Sequence, residues 1–202
     1  ILLGKKNPRM LFWGHDGKFC RSEDDGKTAK VLFDFGANKR IEWFEQSPLN
    51  GDYMYLKTED TQTGNFGFHR SINRGLTWTT VIQSLPSNYI FTVAGDQLIY
   101  RSDENATDLT KILVSADGGS NWNALIDSQL DGLKIMSLLS IIGSKYYLVV
   151  ATDKGGVFRF SNAGLENISN GLFPVVEPER LLYLHSEQVL VMGTRGLGTW
   201  VR

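Results

Sequence analysis

At 202 residues the chain is long enough for one domain with a substantial core, and 21 basic against 22 acidic residues leave a formal net charge of -1. That balance argues against nucleic acid as the main partner, because duplex and single-strand binders carry a basic excess. The single cysteine, Cys20, excludes an internal disulfide and a Cys-based zinc site, and no apolar run reaches the roughly 18 residues of a membrane span.

The 21 glycines, an aromatic content of 11% and the lack of long helical periodicity predict an all-β protein of many short strands. In chain order, "ILL", "RMLFWG", "GHDGKFCRS" and "AKVLFDF" read as the first four strands. The same order returns in "RIEWFE", "DYMYLKT", "GNFGFHRS" and "WTTVIQ", then in "YIFTVA", "DQLIYRS" and "WNALID". "KIMSLLSII", "KYYLVVAT" and "ATDKGGVFRFS" open a fourth round, and "RLLYLH", "QVLVMGT" and "GTRGLGTWVR" a fifth that stops before its last strand. Cys20, after Phe19, reads as a small buried strand residue.

A short phrase punctuates the rounds: "SEDDGKTA" from Ser22, "SINRGLTW" from Ser71 and "SADGGSNW" from Ser115. A worn copy, "SNAGLENIS", follows from Ser161, so the spacing is 49, 44 and 46 residues. A fixed period of this length signals a repeat architecture. A four-stranded antiparallel unit cannot bury both faces alone, so successive units stack, and radial stacking of such units is a β-propeller. The expectation is a single domain over 1–202 with about four and a half blades. It is either five-bladed or a segment of a larger propeller, incomplete at both ends or completed by another chain. The opening "ILLGKK", without Met, fits a processed product or an excised piece, and no signal peptide opens it.

In the phrase, the Ser hydroxyl and the Asp or Asn side chain are suited to accept backbone N–H groups two residues on, pinning a hairpin turn. Gly supplies the positive φ such a turn needs, and the Trp packs back on the turn or on the next unit. The phrase therefore predicts a structural staple: Ser22, Asp24, Gly26 and Thr28; Ser71, Asn73, Gly75, Thr77 and Trp78; Ser115, Asp117, Gly119 and Trp122. These residues resemble the Asp box, or BNR repeat, of sialidase-like propellers. The first copy departs from the pattern with Ala29 in place of Trp, and the second with Asn73 in place of Asp. The resemblance implies a propeller over the whole chain, with the boxes on the rim away from the ligand face. Function is not implied, because the superfamily holds hydrolases, receptors, assembly factors and binders.

If the boxes mark one end of each sheet, the connections between second and third strands lie at the other. They carry His15, Asp16, Glu59, Asp60, Asp103, Asp153, Lys154 and Arg195, the candidate ligand-binding residues. No catalytic set is readable. A sialidase needs an arginine cluster, a Tyr–Glu pair and an acid; "NKRIEW", with Arg40 and Ile41, lacks the proline of the family's Arg-Ile-Pro phrase. His15, His69 and His185 have no metal-ligand spacing, and no cofactor or metal is expected. Asn105-Ala-Thr107 and Asn167-Ile-Ser169 match the glycosylation sequon.

The leading expectation is a non-enzymatic recognition or scaffold propeller, extracellular or periplasmic, binding a protein or a glycan through its loop face. The alternatives are a segment of a glycoside hydrolase, sialidase-like or xyloglucanase-like, and a segment of a sortilin-type sorting receptor.

Overall fold

A computed structural model describes residues 2–3, 9–85, 89–103, 112–125, 128–143, 146–154, 156–161, 164–169, 178–195 and 198–201. They form an all-β propeller fold of five antiparallel sheets, or blades, with one 3-10 turn at Ser128–Leu130. The first sheet orders β1 (Leu2–Leu3), β2 (Leu11–His15), β3 (Lys18–Ser22) and β4 (Lys30–Asp34). The second orders β5 (Lys39–Gln46), β6 (Met54–Asp60), β7 (Phe66–Ser71) and β8 (Thr79–Leu85). Then follow β9 (Phe91–Val93), β10 (Ile99–Ser102), β11 (Ile112–Ser115) and β12 (Asn123–Leu125), and after them β13 (Ile135–Ile142), β14 (Tyr146–Thr152), β15 (Gly156–Ser161) and β16 (Gly164–Asn167). The last sheet has three strands among the described residues, β17 (Pro178–Leu184), β18 (Val189–Thr194) and β19 (Gly198–Val201). His185, expected to end a first strand, lies in the turn just past β17.

The chain divides into two compact units. Unit 1 holds the first two sheets together with the turns 95–98 and 116–121, and unit 2 holds the other three sheets. Each sheet is a meander, so every strand pairs with its sequence neighbour and local hairpins suffice to build it. Alternation along the strands sends opposite faces of a sheet to opposite neighbours. In unit 1, Phe12, Phe19, Met54 and Leu56 are fully buried, with Phe44 and Trp78 edge-on to Phe19. In unit 2 the fourth sheet uses both faces. Leu138, Leu148, Val150 and Phe158 pack with Ile112, whereas Val149, Ala151 and Val157 pack with Leu181, Leu190 and Met192. No helix among the described residues is long and apolar enough to cross a membrane.

The recurring phrase closes three of these sheets. Each of its serines ends the third strand, and the fourth begins eight positions later: Ser22 to Lys30, Ser71 to Thr79, Ser115 to Asn123. Inside the turn the main anchor is four residues on, not two. Ser22 Oγ accepts Gly26 N at 2.9 Å and Ser71 Oγ accepts Gly75 N at 2.8 Å, while the bonds from Asp24 N and Asn73 N are long, at 3.4 and 3.3 Å. Asp24 Oδ1 accepts Thr28 N, Asn73 Oδ1 accepts Thr77 N, and Asp117 Oδ1 accepts Asn121 N, all at 2.9 Å. Two consecutive residues are left-handed in each turn: Asp25 and Gly26, Arg74 and Gly75, Gly118 and Gly119. The worn copy at Ser161 builds something else, because Ser161 pairs directly with Gly164 and leaves room only for a two-residue connection; Asn162 and Ala163 lie outside the described residues.

These turns also carry tertiary packing. A Cβ on Gly75 would sit 2.8 Å from Phe19 Cδ1 in the preceding sheet, and one on Gly119 would sit 2.9 Å from Phe68 Cε1. Phe19 and Phe68 both stand three residues before their own box serine, so successive turns land on equivalent aromatics. Trp78 donates Nε1–H to Gly75 O at 3.1 Å while its ring meets Phe19, which joins the turn to the neighbouring sheet. In unit 2 the Trp122 ring stands edge-on to Phe91, and the Arg101 guanidinium lies 4.8 Å above it.

Candidate functional site

The connections between second and third strands differ from sheet to sheet. In the first, Asp16 (φ 45°) and Gly17 (φ 73°) form a two-residue turn between Lys18 and His15, the Asp-Gly hairpin that right-twisted strands favour. His15 Nε2 and Asp16 Oδ2 are 2.9 Å apart and largely in solvent. Gly17 O accepts Phe35 N at 2.9 Å, so the turn is packed on the connection that follows β4.

In the second sheet both candidate acids hold the fold. Asp60 Oδ1 accepts Gln62 N and Thr63 N at 3.0 Å each, and Oδ2 takes Lys39 Nζ at 2.8 Å. The bond from Lys39, with those two backbone donors, keeps the carboxyl at about 2. Glu59 pairs with Arg40, which also takes Glu42, and these carboxylates raise the Arg40 pKa, Glu42 foremost. Arg40 and Ile41, weighed against an arginine phrase in the sequence, are ordinary residues of β5.

Asp103 and Asp153, from the third and fourth sheets, are brought together. They share a cavity of about 390 Å³ in unit 2, lined by Ser102, Asp103, Gly132, Leu133, Lys134, Ile135 and Asp153. That volume lies within the size range of ordinary small-ligand pockets. Its rim is fixed by a reciprocal pair: Asp153 N donates to Lys134 O at 2.9 Å, and Asp153 Oδ1 accepts Lys134 N at 2.8 Å. Ser102 Oγ accepts Ile90 N at 2.9 Å. Asp103, Asp153 and Lys134 bring charges of both signs to the lining, and the Arg101 guanidinium lies within electrostatic reach of Asp103. Lys154 is exposed beside it in sequence, and Arg195 stands in solvent 3.8 Å from Glu179.

Sequence reasoning missed the Gly132–Ile135 wall, because that segment joins one sheet to the next. The available signal was "LDGLK", where Gly132 takes φ 73° just after the 3-10 turn. Among the described residues no three His, Cys, Asp or Glu side chains gather to hold a metal. His69 is buried between Thr58 Oγ1 at 2.9 Å and Thr80 Oγ1 at 3.1 Å, and desolvation lowers its pKa to about 4. Burial raises the Cys20 pKa, which leaves the thiol protonated and unreactive. Asn105 and Thr107 lie outside the described residues, while Asn167 is exposed at the end of β16.

No protein-family model matches this chain, and no curated protein matches it. Solved structures do. An ancestral GH74 enzyme superposes with a TM-score of 0.69 at 14% identity, covering 99% of this chain and 30% of that one. YCF48 from Cyanidioschyzon merolae gives 0.61 at 16% identity over 99% of this chain and 64% of its own, and YCF48 bound to D1 peptide gives 0.54 at 14% identity over 93% and 59%. The NanB sialidase of Streptococcus pneumoniae gives 0.55 at 13% identity over 90% and 34%. The chain thus spans under a third of the GH74 enzyme and under two thirds of YCF48. At these identities the likeness is one of fold, and that fold is the β-propeller that GH74 enzymes, a sialidase and YCF48 have in common with this chain.

Proposed function

We propose that the chain is a non-enzymatic recognition propeller that binds a segment of a partner protein through the pocket between Asp103 and Asp153. The observation that carries this reading is the meeting of these two carboxylates, from separate strand connections, in one cavity with Lys134. Glu59 pairs with Arg40 and Asp60 with Lys39 across the second sheet, and Asp16 lies beside His15 in solvent. A pocket of this size with two carboxylates in its lining suits a lysine or arginine side chain of an extended peptide, with Leu133 and Ile135 beside its aliphatic stem. The fold likeness to a YCF48 bound to a peptide supports a protein ligand over a glycan. In this reading the Ser-x-Asp-x-Gly turns are Asp boxes of the sialidase-like kind, and the protein works outside the cytoplasm.

Selection of a random peptide library on the immobilised protein tests the proposal. Enriched peptides are expected to carry Lys or Arg, and to lose binding to the Asp103→Asn/Asp153→Asn variant. No enrichment, or peptides that bind both proteins equally, overturns it. A second reading rests on the same pair, since glycoside hydrolysis uses two carboxylates and the GH74 and sialidase likenesses point the same way. Against it, Asp153 Oδ1 is already tied to Lys134 N. Release of reducing sugar from a polysaccharide panel, abolished in the same variant, would decide for the hydrolase.

A further inference from the structure

The second, fourth and fifth sheets each carry opposite charges where the first strand begins and the second ends. In the second sheet Lys39 stands opposite Asp60 and the side chains meet, Nζ to Oδ2 at 2.8 Å. In the fifth, Arg195, just past β18, lies 3.8 Å from Glu179 of β17. The fourth sheet sets Lys134 beside Asp153 at the same place, one step beyond the pairing of Ile135 with Thr152. Here the two charges do not close on each other. Asp153 Oδ1 takes the Lys134 backbone N–H at 2.8 Å instead, and the exposed Lys134 ammonium pairs with no described carboxylate.

The charges around the pocket are of both signs. Asp103, Asp153 and Lys134 line it, and Lys154 is exposed next to Asp153 in sequence. The Arg101 guanidinium, 4.8 Å over the Tyr89 and Trp122 rings, acts on Asp103 from behind. Three cations about two carboxylates leave no net negative field for a ligand whose charge is only positive. A ligand with one charge of each sign matches the arrangement, its basic group at the carboxylates and its acidic group at the unpaired ammonium.

We propose that the pocket recognises a charge pair: a Lys or Arg of the bound segment at Asp103 and Asp153, and an Asp or Glu two positions from it at Lys134 Nζ. Residues two apart in an extended segment share a face and stand about 7 Å from each other, a gap that a lysine side chain spans. The inference rests on the pocket taking a peptide segment, and it adds the acidic position and the residue that selects it. Lys39, at the equivalent place in the second sheet, is already satisfied by Asp60 and has no such role.

The test uses the full chain, a random peptide library, and the variants Lys134→Glu and Lys134→Met, which leave the backbone bonds to Asp153 in place. On the unaltered protein, enriched peptides are expected to carry Asp or Glu two positions from Lys or Arg. On Lys134→Glu that acidic position should give way to Lys or Arg, while the first basic residue is retained. In an enriched peptide, changing the acid to its amide should weaken binding by anisotropy about threefold to fivefold, less at high salt. The same change should leave binding to Lys134→Met unaltered. Lys or Arg enriched with no acidic companion, or a companion indifferent to both variants, overturns this inference and leaves the pocket reading standing. Absence of Lys or Arg enrichment overturns both.

Discussion

Substituting alanine for Gly75 tests whether the recurring turn is a packing device as well as a hairpin. Gly75 has φ 80°, a region that costs an L-residue about 1–2 kcal/mol. Its added Cβ would also lie 2.8 Å from Phe19 Cδ1 and 3.3 Å from Trp78 Cζ2. Phe19 is fully buried, stacked on Phe12 and edge-on to Phe44 and Trp78, so it has little room to retreat. Overpacking of that kind adds about 1–3 kcal/mol, for a total near 2–5 kcal/mol. Gly64 is the internal control. It has φ 73° and open space where an added methyl group would stand, so Gly64→Ala should cost only the backbone share, about 1–2 kcal/mol. Gly119→Ala, whose nearest contact is Phe68 Cε1 at 2.9 Å, should fall below Gly75→Ala, where Phe19 Cε1 is closer still, and Gly26→Ala, with Leu11 Cδ1 at 3.3 Å, should fall nearer Gly64→Ala. Urea denaturation read by tryptophan fluorescence gives the order through the midpoints, provided the m-values agree. Equal losses at Gly75 and Gly64 would refute the packing role and leave the glycine a purely conformational requirement.

Three further outcomes follow from the same geometry. His69, at about 4 in the fold against 6.5 unperturbed, is protonated first in the unfolded chain, so stability should drop as pH falls from 6.5 to 4, by on the order of 3 kcal/mol. The His69 share of the loss should be complete below 4, and His69→Gln should remove the slope between 6.5 and about 5, above the range in which Asp24 and Asp60, both held at about 2, begin to contribute; a pH-independent midpoint between 6.5 and 4 would contradict it. Ser71→Ala leaves the buried Gly75 N–H without its 2.8 Å acceptor and should cost about 1–3 kcal/mol in thermal or urea unfolding, with no loss arguing against the anchor. Trp122→Ala removes a half-buried ring from Phe91 and from beneath Arg101, and about 2–3 kcal/mol should be lost; a near-neutral result would put the ring outside the staple.

The strand pattern was legible because each round repeats the same physical instruction: an apolar alternation, a polar Gly-containing turn, then a Ser-x-Asp/Asn-x-Gly stop. Trp78 and Gly75 follow from the phrase itself. The two-residue left-handed step did not, since Asp25 and Arg74 have no side-chain feature that demands positive φ; the four-residue reach of Ser22 and Ser71 imposes it. The candidate site was legible only in part. Loop position singles out Asp103 and Asp153, but it singles out Glu59 and Asp60 equally, and nothing in the sequence says that Lys39 and Arg40 lie across the sheet from these two. Register makes that difference: Lys39 pairs with Asp60 and Arg40 with Glu59 along β5 and β6. The Gly132–Ile135 wall was missed because pocket walls gather segments remote in sequence, whereas periodicity reports only neighbours.

Repetition itself separates scaffold from function in this chain. At the box end, three turns share their spacing and the Asp or Asn bond to the amide four residues on, and two of them land on equivalent aromatics, as expected where every sheet must solve the same packing problem. At the other end, equivalent connections have diverged: a two-residue Asp-Gly turn in the first sheet, an Asp60-capped loop in the second, and a tie between Asp153 and Lys134 in the fourth. A packing constraint common to all sheets would have kept those connections alike. Their divergence means that each is free to be set by something other than the fold. In the first two, Asp16 lies beside His15 in solvent and Asp60 is tied to Lys39 of β5. Asp153, with Asp103 from the sheet before it, instead opens a cavity. Binding experiments should therefore begin at Asp103, Lys134 and Asp153, with box variants reserved as stability controls.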